Sequence, residues 1–336
     1  MDSRAKIGCV VISILVIYLV LATVFLAPTP MPRSSFRFIA WADSRENGGS
    51  TVNSANLSGL AGKVNGLSPA PIFTIFSGDL CSSFSVACVG TDWKNALGAS
   101  LFNKTFAVRG NHDSGASVAD WQSIFNPGSA VTRIGASAYS SSSLDFSFDY
   151  RNSHFVVIDL PSGGINTMSS SQITWLNRDL TNAETRLGTD LKHEFLFWHG
   201  PLYGVTSEHG SEIPSKALVT VLNSHPFISA GFFGHEHVTV YAHLGSTNSR
   251  ASGLTCPIEE FTMGRAGAPP YSVVKSVDYS ANSDGFAAVD FSDSDYNYTV
   301  TVYNSVGTNV KSYSFSETGA AGCTGRTGNI TGSKNI

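Results

Sequence analysis

Short apolar runs, each closed by turn residues, recur along most of the chain. Residues 36–42 (FRFIAWA), 72–76 (IFTIF), 105–109 (TFAVR), 154–160 (HFVVIDL), 194–198 (EFLFW) and 227–233 (FISAGFF) are too short for stable helices. They read as buried strands. Between them, 54–65, 118–125, 170–187 and 215–224 are helical candidates. Strands alternating with helices predict a layered α/β domain. Beyond Gly253 the pattern changes. Residues 285–291, 296–303 and 310–315 alternate apolar and polar positions, which predicts half-exposed antiparallel strands. No linker interrupts 36–316, so this stretch is expected to be one domain. The Gly-, Thr-, Asn- and Ser-rich stretch 317–336 is expected to be a flexible tail.

The amino-terminal pattern is of another kind. After a short tail (1–6), residues 7–27 carry no charge. At 1.5 Å per residue they would span roughly 30 Å, the thickness of the hydrocarbon layer. The prolines at 28, 30 and 32 end the run and open a linker, 28–35. An uncleaved transmembrane signal-anchor is expected here, with a cleaved signal peptide as the alternative. The basic residues Arg4 and Lys6 before the run are nearly balanced by Arg33 and Arg37 after it, so charge does not fix the orientation.

Asn56, Asn103, Asn297 and Asn329 fit the glycosylation acceptor pattern. Besides Cys9, the cysteines are Cys81, Cys88, Cys256 and Cys323, and no CxxC pair occurs. Of the three pairings open to four cysteines, Cys81–Cys88 with Cys256–Cys323 is the expected one; buried free thiols are the alternative. Disulfides and an anchor together would place the domain outside the cytosol: on a membrane in the secretory pathway, a lysosome-like compartment or the cell surface, or secreted if the segment is cleaved. At 42% hydrophobic residues the chain has enough apolar material for a core. A net charge of −4 offers no basic field for phosphate tracking, so nucleic acid is not an expected partner.

The residues just past the predicted strands carry the chemistry. Asp43 closes the first, Asp79 the second, Asn111 and His112 the third, His199 the fifth, and His235 with His237 the sixth. Ligands of open α/β sheets bind outside the carboxyl ends of strands, so these loops would converge on one edge. Carboxylate, amide and imidazole donors in that mix suit Fe, Zn or Mn. His209 and His243 read as rim or surface residues.

The ordered set Asp43-x-Arg45, Gly78-Asp79, Gly110-Asn111-His112-Asp113, His199-Gly200-Pro201 and Gly234-His235-x-His237 resembles the calcineurin-like metallophosphoesterase family. The resemblance covers about residues 36–240. It implies a four-layer α-β-β-α sandwich with two mixed sheets and a two-metal site at the strand ends. By that resemblance Asp43 and His237 would bind one di- or trivalent ion. Asp79 would bridge, and Asn111, His199 and His235 would bind the second. His112 would stand at the leaving oxygen as acid or charge stabiliser.

One position departs from the family pattern. Many members carry Asp-x-His where this chain has Asp43-Ser44-Arg45, and a guanidinium is not a ligand. Purple acid phosphatases lack that His too, but place a Tyr three residues after the GD Asp, where this chain has Ser82. Arg45 is therefore a candidate substrate-binding residue, able to grip phosphate. The expected function is hydrolysis of phosphomonoesters, small or on proteins, by metal-activated hydroxide. The alternatives are a phosphodiesterase acting on nucleotides or lipid headgroups, and a non-catalytic metal-binding ectodomain.

Overall fold

A computed structural model describes residues 35–49, 51–209, 213–245, 250 and 253–316. The strands run β1 (Ser35–Trp41), β2 (Phe73–Phe76), β3 (Thr105–Ala107), β4 (Ser137–Ser142), β5 (Asp145–Tyr150), β6 (Ser153–Val157) and β7 (His193–Phe197). They continue with β8 (Ile228–Phe233), β9 (Thr239–Leu244), β10 (Ile258–Met263), β11 (Tyr279–Ala281), β12 (Gly285–Ser292), β13 (Asn297–Asn304) and β14 (Asn309–Ser316). The longer helices are α1 (Ser54–Asn65), α2 (Val118–Ile124), α3 (Pro127–Ile134), α4 (Ser170–Leu187) and α5 (Lys216–Ser224).

Two mixed sheets result. One has the order β14-β13-β12-β1-β2-β3, the other β11-β9-β10-β8-β7-β6-β5-β4. Strands β1, β2 and β3 are parallel, as are β6, β7 and β8. The expected sandwich of two mixed sheets is therefore found. Phenylalanines fill the space between the sheets. Phe38 sits at the centre, its ring 5.3–5.8 Å from those of Phe73, Phe155, Phe195, Phe197 and Phe232. Such edge-to-face and offset pairs add to the area they bury. The neighbouring positions of the same strands point outward under helices. Leu196 packs with Trp175, Leu176 and Leu180 of α4, and Ile39 with Leu57, Leu60 and Val64 of α1.

Helix ends obey local chemistry. Ser169 accepts from the Gln172 N–H, and the Gln172 side chain returns to the Ser169 N–H, closing a capping box at the start of α4. Pro127 opens α3, and Gly135 ends it in the left-handed region.

Three expectations are corrected. The strands beyond Gly253 are not uniformly half-exposed: β12 is buried along nearly its whole length. The reason is that both faces are covered: Ala287, Val289 and Phe291 pack in the core between the sheets, and Phe286 and Ala288 pack with Ile39, Leu57 and Leu60 on the other face. The Ser-rich hairpin β4–β5 and the strands β9 and β10 were not expected at all. Finally, no helix among the described residues is long and apolar enough to cross a membrane. The 18-residue α4 is long enough but carries Arg178, Asp179, Glu184 and Arg186. The span expected at 7–27 lies outside the described residues, as do the tails 1–6 and 317–336. The single-pass topology, the membrane as a partner through 7–27 and the extracytosolic placement built on them are not carried further.

Cys81 and Cys88 form a disulfide, as expected. Cys256 is also disulfide-bonded; its expected partner Cys323 lies outside the described residues.

Candidate metal centre

The loops after β1, β2, β3, β7 and β8 meet at one end of the two sheets. Backbone bonds bind them together. The Asp43 N–H donates to Gly78 O and the Ser44 N–H to Asp79 O, both at 3.0 Å, while the Gly234 N–H donates to His199 O at 2.8 Å. The Ser77 hydroxyl crosses between the sheets to Phe232 O. Asp43, Asp79, His235 and His237 all adopt positive φ, a region that side-chain-bearing residues seldom occupy and one that clusters at functional sites. Glycines let the loops approach. A Cβ on Gly78 would lie 2.5 Å from His199 Nδ1, and one on Gly234 would lie 2.5 Å from Asp43 Oδ2.

Every expected ligand reaches this end. Asp43 Oδ2 accepts the His235 N–H at 2.9 Å. Its Oδ1 is buried without a hydrogen-bond partner and lies 3.7 Å from His237 Nε2. Asp79 Oδ1 accepts the His112 N–H at 3.0 Å and lies 3.3 Å from His199 Nε2. Asn111 Oδ1 is 3.1 Å from both His199 Nε2 and His235 Nδ1. Backbone carbonyls fix the tautomers. His199 Nδ1–H donates to Ser77 O, His237 Nδ1–H to Pro269 O and His112 Nδ1–H to Ser82 O, at 2.7–2.8 Å. In each ring this leaves Nε2 as the working atom, the usual arrangement behind a ligating or proton-transferring histidine.

Electrostatics agree with a cation site. Burial lowers His199, although Asp79 opposes it. Burial and then neighbouring His199 hold His235 well below the ordinary imidazole value. Burial and then the Arg45 charge push His237 to about 2. These imidazoles are neutral and keep their lone pairs. Burial, and then the Asp79 carboxylate beside it, raise Asp43 well above the usual carboxylate range. A cation relieves that conflict. The donor set, the unpartnered Asp43 Oδ1 and the aimed Nε2 atoms therefore fit a metal.

Two groups of side chains among the described residues bring ligand atoms within 4.8 Å of one another and so could hold a metal ion: Asp43, Asp79 and His199, and separately Glu184, Glu194 and His225. In the second, His225 Nδ1 is 3.1 Å from Glu184 Oε1 of α4, and Glu194 belongs to β7.

Arg45 is buried beside the first group. Its Nε lies 3.6 Å from Asp79 Oδ2, and Nη2 donates to the Tyr271 hydroxyl at 3.2 Å. Asp113 closes the turn: its Oδ2 accepts the Gly110 and Leu80 N–H groups, and burial raises it to about 8. Two residues lie at the site that were not expected there. The His209 ring lies 3.7 Å from that of His235, not on an outer rim. Tyr271 stacks on His237 at 4.1 Å and 9°. Both ride on segments joined by the Thr206–Val273 bridge. The buried Glu236 carboxylate holds one of them by accepting the Val205 and Thr206 N–H groups. The one signal available was that His209 comes a short distance after His199.

Comparison with known proteins bears on the fold and the family. Among solved structures, a purple acid phosphatase from yellow lupin seeds aligns with 86% of the chain at 14% identity and a TM-score of 0.63. The chain spans only 55% of that enzyme's length. GAP50, described as the anchor in the inner membrane complex of Plasmodium, aligns with 83% of this chain and 88% of its own at 14% identity and a TM-score of 0.55. A dimetal phosphatase from Danio rerio aligns with 81% and 96% at 15% identity and a TM-score of 0.54. At such identities the likeness shows the fold alone. No curated protein matches in sequence. The model of the calcineurin-like phosphoesterase family matches residues 54–239, more than half of the chain. That family fold and its candidate metal centre support hydrolase chemistry, and the chain belongs to the calcineurin-like phosphoesterase family.

Proposed function

We propose that this chain hydrolyses phosphomonoesters at a metal centre built on Asp79. The observation that carries the reading is the buried cluster of Asp43, Asp79 and His199, with three imidazole Nε2 atoms directed by backbone carbonyls. Asp79, Asn111, His199 and His235 would hold one cation, and Asp43 and His237, sharing Asp79, another. Bound there, the cations lower the pKa of water and neutralise phosphoryl oxygens.

The chain's own groups do the rest. Arg45 offers a fixed, planar set of donors to the phosphate oxygens, a role in keeping with the Asp-x-Arg form of the first motif. Tyr271 and the Glu46 carbonyl hold that guanidinium in place. The His112 side chain is 31% exposed, more than His199, His235 or His237. Because its Nδ1–H is spent on Ser82 O, Nε2 is the atom that, in the imidazolium form, is left to give a proton to the departing oxygen.

The test uses the full chain with Mn2+ and compares p-nitrophenyl phosphate with bis-p-nitrophenyl phosphate. Faster turnover of the monoester, with loss of both turnover and bound metal in Asp79→Asn, is the expected result. Preference for the diester would overturn the monoesterase assignment. Bound metal with no turnover of either ester would leave a binding role, such as the anchoring described for GAP50.

A further inference from the structure

The two oxygens of Asp79 face different neighbours. Oδ1 lies 3.3 Å from His199 Nε2, on the side shared with Asn111 and His235. Oδ2 lies 3.6 Å from Arg45 Nε and 3.9 Å from His112 Nε2. Arg45 thus stands on the oxygen left over for a cation at Asp43 and His237. Its contact with Tyr271, which stacks on His237, places the guanidinium against that same position. Arg45 Nε is buried without a hydrogen-bond acceptor, and the carboxylate oxygen it faces is Asp79 Oδ2.

We propose that Arg45 makes the two cation positions unequal, its fixed charge standing in for part of what a cation at Asp43 and His237 would supply. This rests on the metal-centre reading above. A guanidinium keeps its proton at any working pH. A divalent ion ~5 Å from a unit positive charge is disfavoured about tenfold even at the dielectric of bulk water, and more in a buried site. The position at Asp79, Asn111, His199 and His235 therefore fills first. The position at Asp43 and His237 fills at least about tenfold more weakly, and in the singly loaded protein the guanidinium is the second positive group facing the substrate.

The test is metal binding, not turnover. Metal-free full-length protein is titrated with Mn2+ by equilibrium dialysis, and the spin coupling of paired ions is followed by electron paramagnetic resonance. The wild type should bind one ion tightly and a second at least about tenfold more weakly, with coupling appearing only at the second step. Arg45→Gln should tighten the weaker step about tenfold or more and leave the tight one in place. Arg45→Lys, which keeps the charge, should behave as the wild type and controls for lost packing. Asp43→Asn should remove the weaker step alone. Two equal steps in the wild type, or an Arg45→Gln protein whose weaker step is unchanged, would overturn the inference. A wild type that binds no Mn2+ would instead overturn the metal-centre reading on which it depends.

Discussion

His112 and Asp79 touch each other, yet their removal should be told apart by what remains. Asp79 Oδ1 accepts the His112 backbone N–H, a bond that any residue at 112 can still make. His112→Ala therefore should keep the metal and the loop while losing the proton at Nε2. We expect kcat on p-nitrophenyl phosphate to fall by about 10²–10⁴ with metal content unchanged; a matching loss of metal would make His112 a ligand instead. The residues expected as ligands were legible because each sits where an apolar run stops. His209 and Tyr271 were not, because their place depends on the bridge between Thr206 and Val273, a contact with no local signature. Arg45 was legible as a departure from the family motif, but its position on Asp79 Oδ2 was not.

Strand and helix are joined on the outer face of the eight-stranded sheet by a buried charge network. His154 of β6 donates to Asp149 of β5 at 2.7 Å and to Asp179 of α4 at 3.0 Å. Arg186 of α4 pairs with Asp149 through both Nε and Nη2. Burial opposes charge on His154, but the hydrogen bonds to Asp149 and Asp179 outweigh it and raise the group from 6.5 to about 9. The folded state thus binds this proton more tightly than the unfolded chain. Its contribution, on the order of 3 kcal/mol, is complete below about pH 6.5 and is lost as pH rises through about 9. Urea midpoints should fall between pH 6.5 and 9.5 in the wild type, and His154→Gln should flatten that slope. A wild-type slope no steeper than the variant's would exclude the imidazolium. Helices α1 and α4 could be read from spacing and caps. The β4 strand could not, since four of its six residues are serines and carry no apolar period. The burial of β12 was not legible because alternation along a strand does not show that a second layer covers its other face.

At the scale of the molecule, one ring holds the sandwich together. Phe38 is fully buried and meets six phenylalanines drawn from both sheets. Phe38→Ala should cost about 3–5 kcal/mol, read as a lower urea midpoint at unchanged slope; a loss under 1 kcal/mol would mean that the neighbours collapse into the gap. The layered class was visible in the order of the runs, whereas which strand pairs with which was not. The pairing of β1 with β12 is the clearest case, for it sets Ser35 opposite Ser292. During synthesis at about 5–20 residues per second, β1 leaves the ribosome roughly 10–50 s before the strand that covers its open edge. Until then that edge can pair with other chains. The newborn protein needs shelter at its beginning for the time it takes to make its end.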